Sequence, residues 1–261
     1  MALSFEPCAW MHGDSTSALR DGECHVWWAS TSSAHRELLS YFDDRERIRW
    51  ASFHRRSDRA RYLAAHALVR IVLAAHLGVP PSEILFGADA CHRCGAPHGK
   101  PRVLGDSGME VSITHSGCMA GVAVSRSVPV GIDVEALQRT DHGSLASAVL
   151  SSLERVAFDE LADTERHDAL LRYCTRKEAL LKATGDGLTM PMRGLTVADR
   201  TQPPRLVAWD SRPELVGLVR LHDLHPAPGH VASLAVIGAD VTVRELWGDL
   251  LLELAAGAAG R

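Results

Sequence analysis

The segment at residues 130–135, Val-Gly-Ile-Asp-Val-Glu, decides how the fold is organised. Apolar and other residues alternate in it with a period of two, which predicts a β-strand. Asp133 and Glu135 are separated by one residue, so a strand projects both carboxylates from the same face. Two carboxylates held this close repel each other, and a hard divalent cation such as Mg2+ is the simplest remedy. Judged alone, a solvated strand end is the commoner reason for such a pair.

Two more strands are predicted just before this segment, at residues 111–113 and 120–124. They suit a hairpin whose connection is Thr114-His115-Ser116-Gly117. This connection offers hydroxyl groups, an imidazole and a glycine that lets the backbone approach a ligand. A single histidine in such a place is more often structural than functional.

Helical patterns flank the strands. Residues 57–77 carry rows of apolar side chains at helical spacing and end at Gly78-Val79-Pro80-Pro81. A second long helix is predicted from residue 168 to about 183, closed by Gly185-Asp186-Gly187. This order predicts an α+β protein of two similar-sized halves, residues 1–130 and 131–261. Helical character is also expected at residues 33–53, 151–161 and 243–254, and strands at 25–28, 195–197, 205–209, 216–221 and 231–237.

The second long helix carries the motif Arg176-Lys177-Glu178, followed one turn later by Lys182. Glu178 and Lys182 are four residues apart, so they lie on the same helix face. A surface ion pair is the commoner reason for this spacing. Residues 99–102, Gly-Lys-Pro-Arg, place two more cations on a rigid turn, where a solvated turn is again the simpler explanation.

The composition is that of a soluble globular protein. Of 261 residues, 46% are apolar and 23% charged, and the net charge of -4 gives no overall attraction to nucleic acid or an anionic membrane. A phosphate-bearing ligand must therefore be held by a local cluster of cations. No leader pattern or apolar run of about 18 residues is present, so a cytoplasmic location without a membrane span is expected. Six irregularly spaced cysteines are typical of reduced thiols.

Together and in this order, the motifs resemble those of the Sfp-like 4'-phosphopantetheinyl transferases. The matching residues lie at 99–101, 113–117, 131–135 and 176–188, and the basic segment 45–56 and the helix 61–70 also fit. Two positions depart from the usual family pattern: Cys174 stands where tryptophan is frequent, and Thr114 stands where serine is frequent. These departures concern the shape of the pocket more than the reaction.

The resemblance implies a reaction and a fold. In this family, a serine hydroxyl of an apo acyl or peptidyl carrier protein attacks the β-phosphate of coenzyme A, and 3',5'-ADP leaves, with Mg2+ or Mn2+ bound. The resemblance further implies a monomer whose halves have a pseudo-two-fold arrangement, with the active site in the cleft between them. The N-terminal half is then expected to contact coenzyme A phosphates, and the C-terminal half to supply the metal carboxylates and a catalytic lysine.

The resemblance also assigns roles to residues. Asp133, Glu135 and Glu178 are expected to bind the metal. Glu178 is expected to take the serine proton, directly or through a metal-bound water, and Lys182 to neutralise or protonate the leaving phosphate. The carrier protein is expected to bind near residues 138–153. The expected coenzyme A contacts are Arg49, Arg61, Lys100, Thr114, His115, Asp133, Lys177 and Lys182.

Other interpretations of the sequence compete with this one. The run Cys91-His92-Arg93-Cys94 with His98 resembles half of a zinc knuckle, but structural zinc takes four ligands, so a metal-free turn is favoured over zinc bound at Cys91 and Cys94.

Other functional classes are less consistent with the sequence. A module that binds coenzyme A or a carrier protein without turnover would not need three carboxylates and a lysine together. A kinase is disfavoured because no Gly-x-x-x-x-Gly-Lys-Ser/Thr loop occurs, and a nucleic-acid-binding protein is disfavoured by the charge. The pathway of the carrier protein, in fatty-acid, polyketide or nonribosomal peptide synthesis, stays open.

Overall fold

The structure is a computed structural model, which describes residues 18–89, 95, 99–137, 142–187 and 190–260. Helices and strands are mixed along the chain, which confirms the predicted α+β class. The strands are β1 (Glu23–Ser30), β2 (Phe86–Ala88), β3 (Pro101–Val103), β4 (Met109–Ser116), β5 (Met119–Arg126), β6 (Val130–Ala136), β7 (Leu195–Val197), β8 (Leu206–Trp209), β9 (Val219–Leu224), β10 (His230–Ile237) and β11 (Thr242–Trp247). The α-helices are α1 (Asp44–Ser52), α2 (Arg56–Leu77), α3 (His142–Val149), α4 (Ser152–Asp159), α5 (Asp163–Thr184) and α6 (Asp249–Ala259).

Two sheets form the centre of the protein. A four-stranded sheet has the order β11-β1-β5-β4, and a three-stranded sheet has the order β6-β10-β9. Neighbouring strands in these sheets are antiparallel, except that β1 and β11 run parallel. The short strands β2 and β3 form one further antiparallel pair, and β7 and β8 form another.

The two sheets pack face to face, and a long helix covers the outer face of each. Val26 of β1 and Ile132 of β6 belong to the apolar cluster between the sheets. On the other side of β1, Trp27 packs in the cluster that contains the apolar face of α2. Helix α5 packs on β6 and β10. Because β6 is covered on both faces, Asp133 on the α5 side is buried, and Glu135, nearer the end of the strand, is half-buried.

Gly131 allows α5 to lie unusually close to β6. A Cβ atom at this position would lie 2.1 Å from the carbonyl oxygen of Ala179 and 2.3 Å from the backbone nitrogen of Ala183. Real Cβ atoms do not approach backbone atoms this closely, so only glycine fits without moving the helix. The close packing brings the β6 carboxylates next to the side chains of α5.

The two long helices lie close to their predicted positions. The helix predicted at 57–77 is α2, and the helix predicted at 168–183 begins five residues earlier, in α5. Helix α2 is long and apolar enough to cross a membrane by length and composition alone, but 67% of its most apolar stretch is buried inside the protein. That burial is typical of the core helix of a globular domain.

Three sequence expectations need correction. The helix expected at 243–254 is instead a strand, β11, followed by α6, because residues 242–247 pair with β1. The connection expected at 114–117 is mostly strand, since β4 continues to Ser116 and the turn lies at residues 117–118. Residues 33–53 are not one helix: a 3-10 helix precedes α1, which starts at a capping box between Asp43 and Glu46.

The end of the described chain returns to the first sheet. Strand β11 pairs with β1, and α6 contacts α2. A division of the chain into halves at residue 130 stays a prediction, and these contacts show that the last strand and helix pack with elements that precede that residue.

Candidate active site

Three carboxylates meet where β6 packs against α5. Asp133 and Glu135 project from β6, and Glu178 projects from α5, and one oxygen atom of each lies within 4.8 Å of the others. Asp133 is 3% exposed. The structure thus brings together all three residues that were expected to bind a metal.

The carboxylate cluster is electrostatically strained without a cation. Burial raises the pKa of Glu178 to about 7, and the charge of Asp133 adds to the effect while Lys182 opposes it. Burial and the charge of Asp133 also raise the pKa of Glu135. Groups that resist ionisation in this way mark a place where positive charge is favoured.

The hydrogen bonds of Asp133 fit a divalent cation. Its Oδ1 atom accepts a hydrogen bond of 2.6 Å from Nζ of Lys182 and one of 3.1 Å from Oγ1 of Thr114. Its Oδ2 atom is buried and has no hydrogen-bond partner among the described residues. Because buried polar atoms normally have partners, Oδ2 is free to serve as a metal ligand. Oxygen ligands of this kind suit Mg2+ or Mn2+.

A cleft of about 530 Å³ opens beside the cluster. Glu135 of β6, Glu178 of α5, Arg61 of α2 and His115 of β4 all line it. Elements that precede residue 130 and elements that follow it therefore both contribute to the cleft. Its other lining residues are Phe53, Asp58, Ser116, Gly117, Ala136, Leu145, Leu171 and Cys174.

Cations border the cleft on the α2 side. Arg61 donates a hydrogen bond of 3.1 Å to the carbonyl oxygen of Gly117 and forms an ion pair with Asp58. Part of His115 is exposed in the cleft. Desolvation of its imidazole by the surrounding protein lowers the pKa of this group, and charge repulsion from Lys182 and Arg61 lowers the pKa further. A neutral imidazole keeps one N–H that can donate to a phosphate oxygen.

Arg49 contacts the cleft only through Phe53. It is exposed on α1, with its guanidinium carbon 4.9 Å from the centre of the Phe53 ring. Phe53 lines the cleft, so this cation–π contact links Arg49 to a residue of the cleft wall.

Lys177 does not face the cleft, although a coenzyme A contact was expected there. Its ammonium is fully buried and donates to a carboxylate oxygen of Glu154 and to the carbonyl oxygens of Val149 and Met192. A phosphate could reach it only if these bonds were broken. Lys177 instead ties α5 to α4 and to the segments beside it.

Lys100 and Thr114 also have partners inside the protein. Lys100 is 8% exposed, and its ammonium donates to Glu110 and to the carbonyl oxygen of Ala183 near the end of α5. Thr114 is 5% exposed, and its hydroxyl contacts Asp133 rather than the open cleft. The structure therefore favours a supporting role for Thr114 over a direct contact with coenzyme A.

Sequence reasoning noted the hydroxyl of Ser116 without giving it a partner, and it gave no role to Ser112. Ser116 donates a hydrogen bond of 2.8 Å to Oε2 of Glu135, and Ser112 lies two residues before Thr114 on the same strand. The alternation of hydroxyl residues at 112, 114 and 116 was the signal in the sequence.

Some expectations fall outside the described residues. The possible zinc ligands Cys91, Cys94 and His98 lie there, as do residues 138–141 of the segment where a carrier protein is expected.

The chain is similar to known transferases. Residues 129–235 match the family described as the 4'-phosphopantetheinyl transferase superfamily. The chain is 30% identical over 240 residues to the 4'-phosphopantetheinyl transferase HetI of Nostoc sp., a match that covers 88% of this chain and 94% of that protein. It is 26% identical over 162 residues to the 4'-phosphopantetheinyl transferase Sfp of Bacillus subtilis, which covers 61% of this chain and 67% of that protein.

A weaker likeness exists to a solved structure. A holo-(acyl-carrier-protein) synthase from Bacillus anthracis, in complex with CoA (3',5'-ADP), is 21% identical and covers 43% of this chain and 97% of that chain, with a TM-score of 0.34. At this TM-score the likeness supports no inference about the site.

Proposed function

This chain belongs to the 4'-phosphopantetheinyl transferase superfamily, and from this premise we propose that it moves the 4'-phosphopantetheine arm of coenzyme A to a serine of a carrier protein with the help of Mg2+. The family supports the transferase activity, and the side chains of the site support the cation. The observation that carries the cation is the carboxylate cluster beside the cleft, in which Oδ2 of Asp133 is buried without a partner among the described residues.

Asp133, Glu135 and Glu178 would hold the cation, which when bound neutralises negative charge on the pyrophosphate of coenzyme A. The cluster supplies three oxygen ligands, and Mg2+ commonly takes its remaining ligands from water and substrate phosphates. Mn2+ accepts the same ligands, so we expect it to substitute for Mg2+.

Glu178 is the proposed base for the serine hydroxyl. It lines the cleft, where an acceptor serine can approach it, and burial raises its pKa to about 7. A bound cation would favour the ionised form of this carboxylate, the form that accepts a proton. The position of Glu178 in the cleft is what supports its role.

Lys182 is the proposed partner of the leaving phosphate. Its ammonium lies one helical turn beyond Glu178 and contacts Asp133, and its side chain is 30% exposed. The displacement on phosphorus depends mainly on positioning and charge neutralisation, to which a fixed ammonium contributes. Protonation or neutralisation of 3',5'-ADP by Lys182 would ease its departure.

Arg61, His115 and Arg49 are proposed to bind the phosphates of the 3',5'-ADP portion. Arg61 and His115 line the same cleft as Glu178, and Arg49 stacks on Phe53, another lining residue. Two guanidinium cations and the N–H donor of a neutral imidazole answer the need for local phosphate binding in a chain whose net charge is -4.

The partner is proposed to be an acyl or peptidyl carrier protein that docks near residues 138–153. In the described part of this segment Leu153 on α4 is 69% exposed, and Val156, three residues later on the same helix, is 64% exposed, so two apolar side chains are open to a partner there. We also propose that the enzyme acts as a monomer in the cytoplasm.

Intact-mass spectrometry of an apo carrier protein tests the proposal. With enzyme, coenzyme A and Mg2+, the carrier should gain about 340 Da, the mass of a phosphopantetheine group delivered by a metal-assisted transfer. EDTA should prevent the gain, and excess Mg2+ should restore it. A gain that persists in EDTA would contradict the role of the cation. No gain on several carrier proteins, with coenzyme A still bound, would indicate a binding module without turnover.

A further inference from the structure

We propose that Thr114 and Ser116 are positioning residues whose hydroxyls orient Asp133 and Glu135 for the divalent cation. The inference rests on the metal site proposed above and goes beyond it, because it assigns a task to two residues that do not themselves bind metal.

Strands β4 and β6 lie at the edges of different sheets, yet hydrogen bonds join them. Three hydroxyls of β4 accept bonds from three N–H groups of β6, and each pair is separated by 20 residues along the chain. Ser112 accepts from Ile132 at 3.0 Å, Thr114 from Val134 at 3.1 Å, and Ser116 from Ala136 at 3.1 Å. The side chains of β4 thus take the place of a neighbouring strand and supply hydrogen-bond acceptors for the backbone N–H groups at the edge of β6.

Each hydroxyl that accepts from an N–H group still has its own proton to donate. Thr114 donates it to Oδ1 of Asp133 at 3.1 Å, and Ser116 donates it to Oε2 of Glu135 at 2.8 Å. In both cases the carboxylate that accepts the hydroxyl proton belongs to the residue directly before the one whose N–H group donates to the hydroxyl oxygen. The same unit therefore occurs twice, once for each carboxylate of β6.

This unit fixes one oxygen of a carboxylate and leaves the other available. At Asp133, Thr114 and Lys182 both donate to Oδ1, whereas Oδ2 has no partner among the described residues and is buried. A carboxylate held in one rotamer loses less conformational freedom when it binds a cation, which raises affinity.

Ser112 belongs to the same row of β4 hydroxyls as Thr114 and Ser116, and it provides an internal control. It accepts from the N–H of Ile132 as its neighbours do from theirs, but the preceding position is Gly131, which has no side chain. Loss of the Ser112 hydroxyl therefore removes a bridge between β4 and β6 without touching a carboxylate. If the three hydroxyls only join the strands, their loss should affect Mn2+ affinity equally at all three positions. If two of them position carboxylates, Mn2+ affinity should fall only when Thr114 or Ser116 loses its hydroxyl.

Binding of Mn2+ alone, followed by electron paramagnetic resonance and calorimetry, tests the inference. Thr114→Val keeps the shape of the side chain and removes the hydroxyl, and we expect its Mn2+ affinity to fall by about 10-fold to 100-fold, the usual effect of losing a group that orients a metal ligand. Ser116→Ala should show a similar loss. Thr114→Ser restores the hydroxyl and should bind Mn2+ within about threefold of the unsubstituted enzyme.

Ser112→Ala is the matched control. It should lower the melting temperature about as much as Ser116→Ala, because each loses one acceptor of a backbone N–H, but it should leave Mn2+ affinity unchanged. Mn2+ affinities of Thr114→Val and Ser116→Ala equal to that of Ser112→Ala would overturn the inference and leave the row a structural bridge. If the unsubstituted enzyme binds Mn2+ no better than Asp133→Ala, the metal site itself fails, and the inference fails with it.

Discussion

Nζ of Lys182 on α5 lies 2.6 Å from Oδ1 of Asp133 on β6. This ion pair joins the two sequence motifs of the active site. A second N–H group of the same ammonium donates to the carbonyl oxygen of Ile132. An ammonium has three N–H groups, and the described residues accept from two of them at Lys182. Lys182 can therefore add a bond to a phosphate without giving up those that position it.

Replacement of Lys182 by methionine should lower turnover much more than coenzyme A binding. The remaining N–H group is expected to act on charge that develops on the leaving phosphate, so its loss should reduce kcat by about 100-fold. The dissociation constant of coenzyme A should change by less than about fivefold. Single-turnover transfer and calorimetry would measure the two quantities, and an unchanged kcat would remove Lys182 from the reaction.

Replacement of Lys177 by methionine should give the opposite result. All three N–H groups of Lys177 have acceptors inside the protein, and Glu154 would be left buried and unpaired. Removal of one partner of a buried ion pair costs about 3–5 kcal/mol, so the free energy of unfolding in urea should fall by that amount. Coenzyme A affinity of the folded protein should stay the same, and a stable variant with weakened coenzyme A binding would place Lys177 in the cleft after all.

Much of the candidate site could be predicted from local periodicity. The period of two in residues 130–135 places Asp133 and Glu135 on one face of a strand, and the spacing of four places Glu178 and Lys182 on one face of a helix. The same helical geometry separates Lys177 from Glu178 by about 100° around the axis. The two side chains therefore leave the helix in different directions, and that of Lys177 is buried against Glu154 instead of lining the cleft.

The parts that could not be predicted depend on contacts distant in the sequence. Strand β11 is mostly exposed and pairs with β1, which lies more than 200 residues earlier, so no local pattern distinguishes it from a helix. The donation from Thr114 to Asp133 likewise requires two sheet edges to meet. A sequence shows which residues share a face, but it does not show what packs against that face.

Stability should fall in mild acid because of His76. Burial, with smaller contributions from the charges of His25 and Arg126, lowers the pKa of His76 from 6.5 to about 4. The folded state therefore resists protonation that the unfolded state accepts. The stabilisation is complete above pH 6.5 and is lost as pH falls toward 4, by an amount on the order of 3 kcal/mol.

His76→Leu should flatten this part of the pH profile. The Nε2 atom of His76 is buried and has no hydrogen-bond partner among the described residues, so replacement by leucine removes no hydrogen bond made by that atom. Urea unfolding at several pH values between 4 and 7 would measure the effect. An equal loss of stability in the variant would show that other groups cause the acid sensitivity.

Gly131→Ala should disturb the active site through packing alone. The added methyl group would meet the backbone of α5 at Ala179 and Ala183, and backbone atoms cannot rotate away as a side chain can. Overpacking of this kind costs about 1–3 kcal/mol or more, and displacement of α5 from β6 would separate Glu178 from Asp133. We therefore expect a lower melting temperature together with weaker Mn2+ binding.

Gly217→Ala is the control. A Cβ atom at Gly217 meets nothing within 4 Å, and its φ angle is not positive. Melting temperature and Mn2+ affinity should therefore both be unchanged in this variant. If Gly131→Ala loses stability but keeps its full Mn2+ affinity, the metal ligands do not depend on the close approach of α5 to β6.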